Sequence, residues 1–108
     1  MVDELLKYKN RAIQLSGEYS TGRVWLFGEE LFPDKSQRLR NHSADSFAWG
    51  YGGSGPSLLA LAICLKLFDT EIALAVYQDF KWKYISVLHQ SDSEIDFTLE
   101  YFKPGVKI

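Results

Sequence analysis

The stretch "WGYGGSGPSLLALAICLKLF", residues 49–68, decides how this chain reads. It joins a loop containing Gly50, Gly52, Gly53 and Gly55 to a run in which only Ser57 and Lys66 are polar after Pro56. Proline suits the first helical position, where its missing N–H would have no intrahelical partner anyway. From there to Phe68 the residues are apolar around the whole circumference of a helix, and such a helix is surrounded by protein. The pattern predicts a buried central helix over about 56–68.

The flanks complete the domain. Asp69 and Thr70 can cap a second helix. Ala73, Val76, Tyr77, Phe80, Tyr84, Val87 and Leu88 recur at helical spacing, which predicts that helix over about 70–88. Gln78, Asp79, Lys81 and Lys83 then fall off the apolar stripe. A rival reading breaks the helix near Trp82 and makes "KYISVL" a strand. "IDFTLEYF" alternates Ile95, Phe97, Leu99 and Tyr101 with Asp96, Thr98 and Glu100, a half-exposed strand with an acidic outer face. On the N-terminal side, "RAIQLSGEYSTGRVWLFGEELF" reads as strands separated by turns at "SGEYSTG" and "GEE". Val24 and Leu26 alternate with Trp25 and Phe27, so that strand is apolar on both faces, as if covered on both. "PDKSQRLRN" is a polar connection with room for a turn of helix, and residues 1–10 read equally as a helical turn or a frayed tail. The order is strands, two helices, strand. It predicts one α+β domain over 1–108, a small antiparallel sheet packed against two helices.

Composition narrows the function. Of 108 residues, 46% are apolar and 24% charged, a globular profile. The formal net charge of −2 argues against a protein that coats nucleic acid, which needs a basic face to displace counterions. The single cysteine, Cys64, excludes an internal disulfide, and with two histidines the chain offers no zinc constellation. This points to a reducing, cytoplasmic setting. The apolar run Leu58–Leu65 is far shorter than a bilayer span, so no membrane role is expected. Aromatic residues reach 15%, enough to supply both a core and an interaction surface.

The glycine loop invites comparison with phosphate-binding motifs. Gly50-x-Gly52-x-x-Gly55 matches the dinucleotide fingerprint letter for letter. That motif needs a preceding strand and an acid about 20 residues on, and "SADSFAW" is a poor strand while the later position lies within a helix. In a P-loop, Lys would follow Gly55; Pro56 stands there, so the charge that reaches the terminal phosphates is missing. "GGSGP" also misses the nucleophile elbow, because Pro56 replaces its last glycine. A triad of Ser43 or Ser54 with His42 and Asp45 would place its members too close along one loop. Asp92, Glu94, Asp96 and Glu100 follow a strand face and not a calcium loop. No catalytic residue, metal or cofactor is expected.

Two readings of the loop stay open. Glycine backbone and a helix N-terminus can together face an anion. Lys35, Arg38, Arg40 and His42 lie just upstream. If the fold returns them to the helix start, Arg38, Arg40, Asn41 and His42 join Gly52, Gly53, Ser54 and Gly55 around a small anion, with Trp49 and Tyr51 to stack on it. Alternatively the glycines only permit a tight turn beneath a buried helix, with Trp49 and Tyr51 packed as its lid. Lys81, Trp82 and Lys83 could meet an anion, but on an exposed helix face such residues are more often just solubilising, with Trp82 partly packed.

The segment "NHSADSFAWGYGGSGPSLLALAICL", residues 41–65, resembles the signature of a family of small bacterial, archaeal and viral proteins of unknown function, N-H-S-P-x-G-F-x-W-G-Y-G-G-S-G-P-A-Q-L-A-L-A-I-L, followed by "YQ-x-F-K". The matches are Asn41, His42, Ser43, Phe47, Trp49, Gly50 through Pro56 and Leu59 through Ile63, then Tyr77, Gln78, Phe80 and Lys81. Ala44 and Ser46 depart from the pattern, and Ser57 and Leu58 replace its Ala-Gln. The resemblance implies a compact α+β domain, carries no activity, and places such proteins in mobile elements, an occurrence that raises a role in host–virus conflict. The resulting expectation is a non-enzymatic binding module, an inhibitor or adaptor acting on a protein partner. The alternative is a binder of a nucleotide or other small anion at the loop, with weak hydrolysis at most.

Overall fold

The structure, a computed structural model, describes residues 11–40 and 46–99. β1 (Arg11–Glu18), β2 (Arg23–Leu26) and β3 (Glu29–Leu31) form an antiparallel meander, and β4 (Ser93–Leu99) returns to pair with β1, giving the order β3-β2-β1-β4. The register sets Leu15 opposite Leu26 and Val24 opposite Leu31, so one face of the meander is apolar. Between β3 and the central helix lies α1 (Asp34–Leu39), the helical turn that the polar connection allowed. Residues 1–10, 41–45 and 100–108, and with them the expected N-terminal tail, Asn41, His42, Ser43, Asp45, Glu100 and Tyr101, lie outside the described residues.

The central helix, α2 (Ser54–Leu67), is buried along its length, with every residue from Gly55 to Cys64 in the interior. It begins two residues before Pro56, which sits in the first turn instead of opening it. The proline is still tolerated, because N–H groups of the first turn lack intrahelical acceptors. Leu15, Val24, Trp49 and Leu59 meet around one small cavity, so the sheet covers one side of α2. α1 and α3 (Thr70–Phe80) pack against α2 on its other sides. Among the described residues the helices cover one sheet face. Val24 and Leu26 are buried there, whereas Trp25 is half-buried and Phe27 exposed. Two-sided burial of β2 is therefore corrected: apolar side chains on its outer face do not mean that a layer covers them.

α3 starts where its capping residue predicts. Asp69 Oδ1 accepts a hydrogen bond from the Ile72 N–H at 2.9 Å. Asp69→Ala removes that acceptor and should lower stability by about 1 kcal/mol. Asp69→Asn, which keeps an acceptor, should lose much less. Urea denaturation of the two variants checks the pair. The helix stops at Phe80, short of the expected Leu88, and continues as a π-helical turn, Lys81–Ile85. That turn is closed by Ser86 N–H on the Lys81 carbonyl, five residues back, at 2.8 Å. The wider turn changes which residues face inward. Ile85 is buried and Val87 is exposed, and "KYISVL" is no strand.

Candidate functional site

The glycine loop does not stand free. It is laid onto the π turn. Gly50 has φ +89° and donates its N–H to the Ile85 carbonyl at 3.0 Å. Gly52 lies so close to the benzo ring of Trp82 that a Cβ there would come within 2.6 Å of Cζ3. Ser46–Trp49 forms no strand, in keeping with the mismatch to a dinucleotide fold.

Trp49 is 2% exposed and its Nε1 donates to the Ser91 carbonyl at 3.0 Å. Its ring meets Tyr19 edge-on, with centroids 5.2 Å apart. The ring is a core element and has no free face for stacking on an anion. Tyr51 is 42% exposed, and its ring rests beside Gly53. Ser54 is exposed at the first position of α2, while Gly55 is buried against Ala48. The upstream basic run is not gathered as a whole at this end. Lys35 lies with Ala62, Leu65 and Lys66, in the last two turns of α2. Arg38 and Arg40 are exposed, and Arg40 Nη1 returns to the neighbouring Leu39 carbonyl at 2.9 Å.

Among the described residues, a cation that does reach the loop is Lys81. Read from the helical stripe it belonged outside; it is 5% exposed. Its Nζ donates to the Gly52 carbonyl at 3.1 Å and stands 4.3 Å from the centroid of the Trp82 ring. No carboxylate pairs with it among the described residues. Burial lowers its pKa, because desolvation disfavours the ammonium form. A sequence signal was available: Lys81 is four residues beyond buried Tyr77, on the same helical face. It also closes the "YQDFK" segment. Trp82, in contrast, is 58% exposed.

The Lys81 environment has a testable consequence for pH. A folded-state pKa below the ordinary lysine value of 10.5 means that the folded chain sheds this proton first. The burden of burying the charge is present below the folded pKa. It is relieved as pH rises from there toward the unfolded value, so stability gains over that window. Lys81→Met lacks this contribution. The stability of wild type minus that of Lys81→Met should therefore climb with pH in the alkaline range, as measured by urea titration at several pH values. A flat difference would show that the amine is not desolvated.

Cys64 is sealed in α2, and burial pushes its thiol well above the ordinary range, so it is no nucleophile in the folded state. Among the described residues no helix is long and apolar enough to cross a membrane. A family model described as a family of unknown function, DUF6166, matches residues 15–100. No curated protein and no solved structure matches the chain.

Proposed function

The chain belongs to DUF6166, a family of unknown function, and we propose that it is a non-enzymatic binding module acting through a protein–protein contact centred on Tyr51 and Trp82. The observation that carries this reading is an exposed tryptophan packed against the glycine loop. The Trp82 ring is seated on Gly52, and the Lys81 ammonium stands against it. Large aromatic side chains supply much of the energy at protein interfaces. One that is already ordered forfeits less rotamer freedom on association. A role as inhibitor or adaptor, in the cytoplasm and encoded by a mobile element in host–virus conflict, is part of the same proposal and rests on the signature it resembles.

Affinity capture from a host lysate tests it, using wild type beside Trp82→Ser and Gly52→Ala. Both variants should stay folded, because Trp82 is exposed and its ring can turn away from an added Cβ. A specific partner retained by wild type and lost from both is the expected result. The same proteins recovered with all three chains would overturn the proposal.

A second reading is favoured by one observation. Lys81 brings a buried positive charge to the loop before α2, whose N-terminus has no side-chain cap and no acid in its first turn. Anion binding there, with a nucleotide or phosphate as ligand, should raise the melting temperature, and Lys81→Met should abolish the rise. No shift with inorganic phosphate or with ATP would dismiss it.

A further inference from the structure

We propose that the chain carries a second docking surface, a groove between the β2–β3 hairpin, α1 and the last two turns of α2, which takes an extended acidic peptide segment of a partner protein. The groove lies along α2, about 18 Å from Ser54 at 1.5 Å per residue, and is separate from the Tyr51–Trp82 contact. It consists of two adjoining hollows of about 120 and 110 Å³ that share Leu31 and Lys66 as walls. Each is far below the roughly 300 Å³ at which small-molecule sites begin, and suits a single side chain.

Three observations define the occupant. The first is strain at the rim. Phe27 has φ +52° and Gly28 φ +80°, a two-residue hairpin turn in which Asn would fit the first position without penalty. A bulky residue is disfavoured in the left-handed region, and here the side chain is 48% exposed, so the core gives little burial in return. Phe32, 66% exposed, flanks the other hollow. The second is charge. Lys35 and Lys66 border the groove without an ion pair among the described residues, against Glu29 as the one acid among the lining residues of the two hollows. This is a locally positive surface on a chain of net charge −2. The third is backbone. β3 is at the edge of the sheet order, so its outer hydrogen-bonding groups have no neighbouring strand among the described residues. An extended segment can add there, its alternate side chains on one face entering the two hollows and its carboxylates meeting the lysines.

Fluorescence anisotropy tests the proposal with two labelled heptapeptides, Glu-Leu-Glu-Phe-Glu-Leu-Glu and the same sequence with lysine for glutamate. The acidic peptide should bind, and the basic one should not. Lys66→Glu should weaken binding at least about tenfold, and Trp82→Ser should leave it unchanged. Phe27→Asn relieves the turn and should raise the melting temperature while weakening binding, which separates loss of contact from loss of fold. Equal binding of both peptides, or no effect of Lys66→Glu and Phe27→Asn, overturns the proposal. So does sedimentation that finds a wild-type dimer turned monomeric by Lys66→Glu, since the occupant is then a second copy of the chain.

Discussion

Trp49→Ala should lower the stability of the domain by about 3–5 kcal/mol, the range for deleting a large aromatic side chain from a packed core. The ring is almost wholly buried, lines the cavity between the sheet and Leu59, and sits against Gly17, where a Cβ would come within 2.6 Å of its Cη2. It also joins three segments distant in sequence. Its Nε1 donates to the Ser91 carbonyl, its ring packs T-shaped with Tyr19 after β1, and its own loop leads into α2. Next to Tyr19, the backbone N–H of that residue binds Asp92 Oδ1 at 2.8 Å, so the turn before β4 is attached at the same corner. A loss of this size is a large share of the roughly 5–15 kcal/mol that holds a small domain together. Urea denaturation should place Trp49→Phe between wild type and Trp49→Ala, because it keeps most of the apolar surface and loses the Nε1 hydrogen bond. A loss below about 1 kcal/mol for the alanine variant would refute the core role.

Gly50→Ala is expected to be nearly as damaging, at roughly 2–5 kcal/mol. Two effects add: about 1–2 kcal/mol for placing a Cβ in the left-handed region, and about 1–3 kcal/mol for forcing it into filled space. The Cβ would stand 2.8 Å from the Leu88 carbonyl oxygen and 2.6 Å from Gln90 Cγ. The carbonyl belongs to backbone that the Ile85 contacts hold in place, so it cannot simply move aside. Gly52→Ala makes the informative contrast. Its obstacle is the far end of the exposed Trp82 side chain, which can swing into solvent. Thermal denaturation should therefore rank Gly50→Ala well below Gly52→Ala. The tryptophan emission of Gly52→Ala should shift to the red as the ring becomes wetter. Equal destabilisation by the two would mean that the Trp82 ring is held as firmly as the backbone.

Local patterns carried much of the architecture. α2 was legible because an all-round apolar helix has one outcome, burial. Asp69 was legible as a cap because the acceptor and the N–H it serves are three residues apart. The strands of the meander announced themselves by alternation and by glycine turns. What failed did so where the outcome depends on what lies opposite. Trp25 and Phe27 look like core residues until the helices are found on the other face. Lys81 looks like a surface residue until the π turn and the glycine loop close over it. Arg38 is close in sequence to the start of α2, but its neighbour Lys35 is carried toward the other end of that helix.

The loop shows the same division. By itself the sequence determined that a glycine-rich segment leads into a buried helix, because glycine spacing, proline and apolar periodicity are properties of neighbouring residues. Only the tertiary structure decided what the glycines accommodate. Gly52 is small because Trp82 lies across it, and Gly50 takes a positive φ because the segment at Leu88–Gln90 passes behind it. The charge beside the loop comes from Lys81 at the end of the next helix. Contacts between residues about 30–40 positions apart depend on helix packing and on one wider turn, and no short-range pattern encodes them.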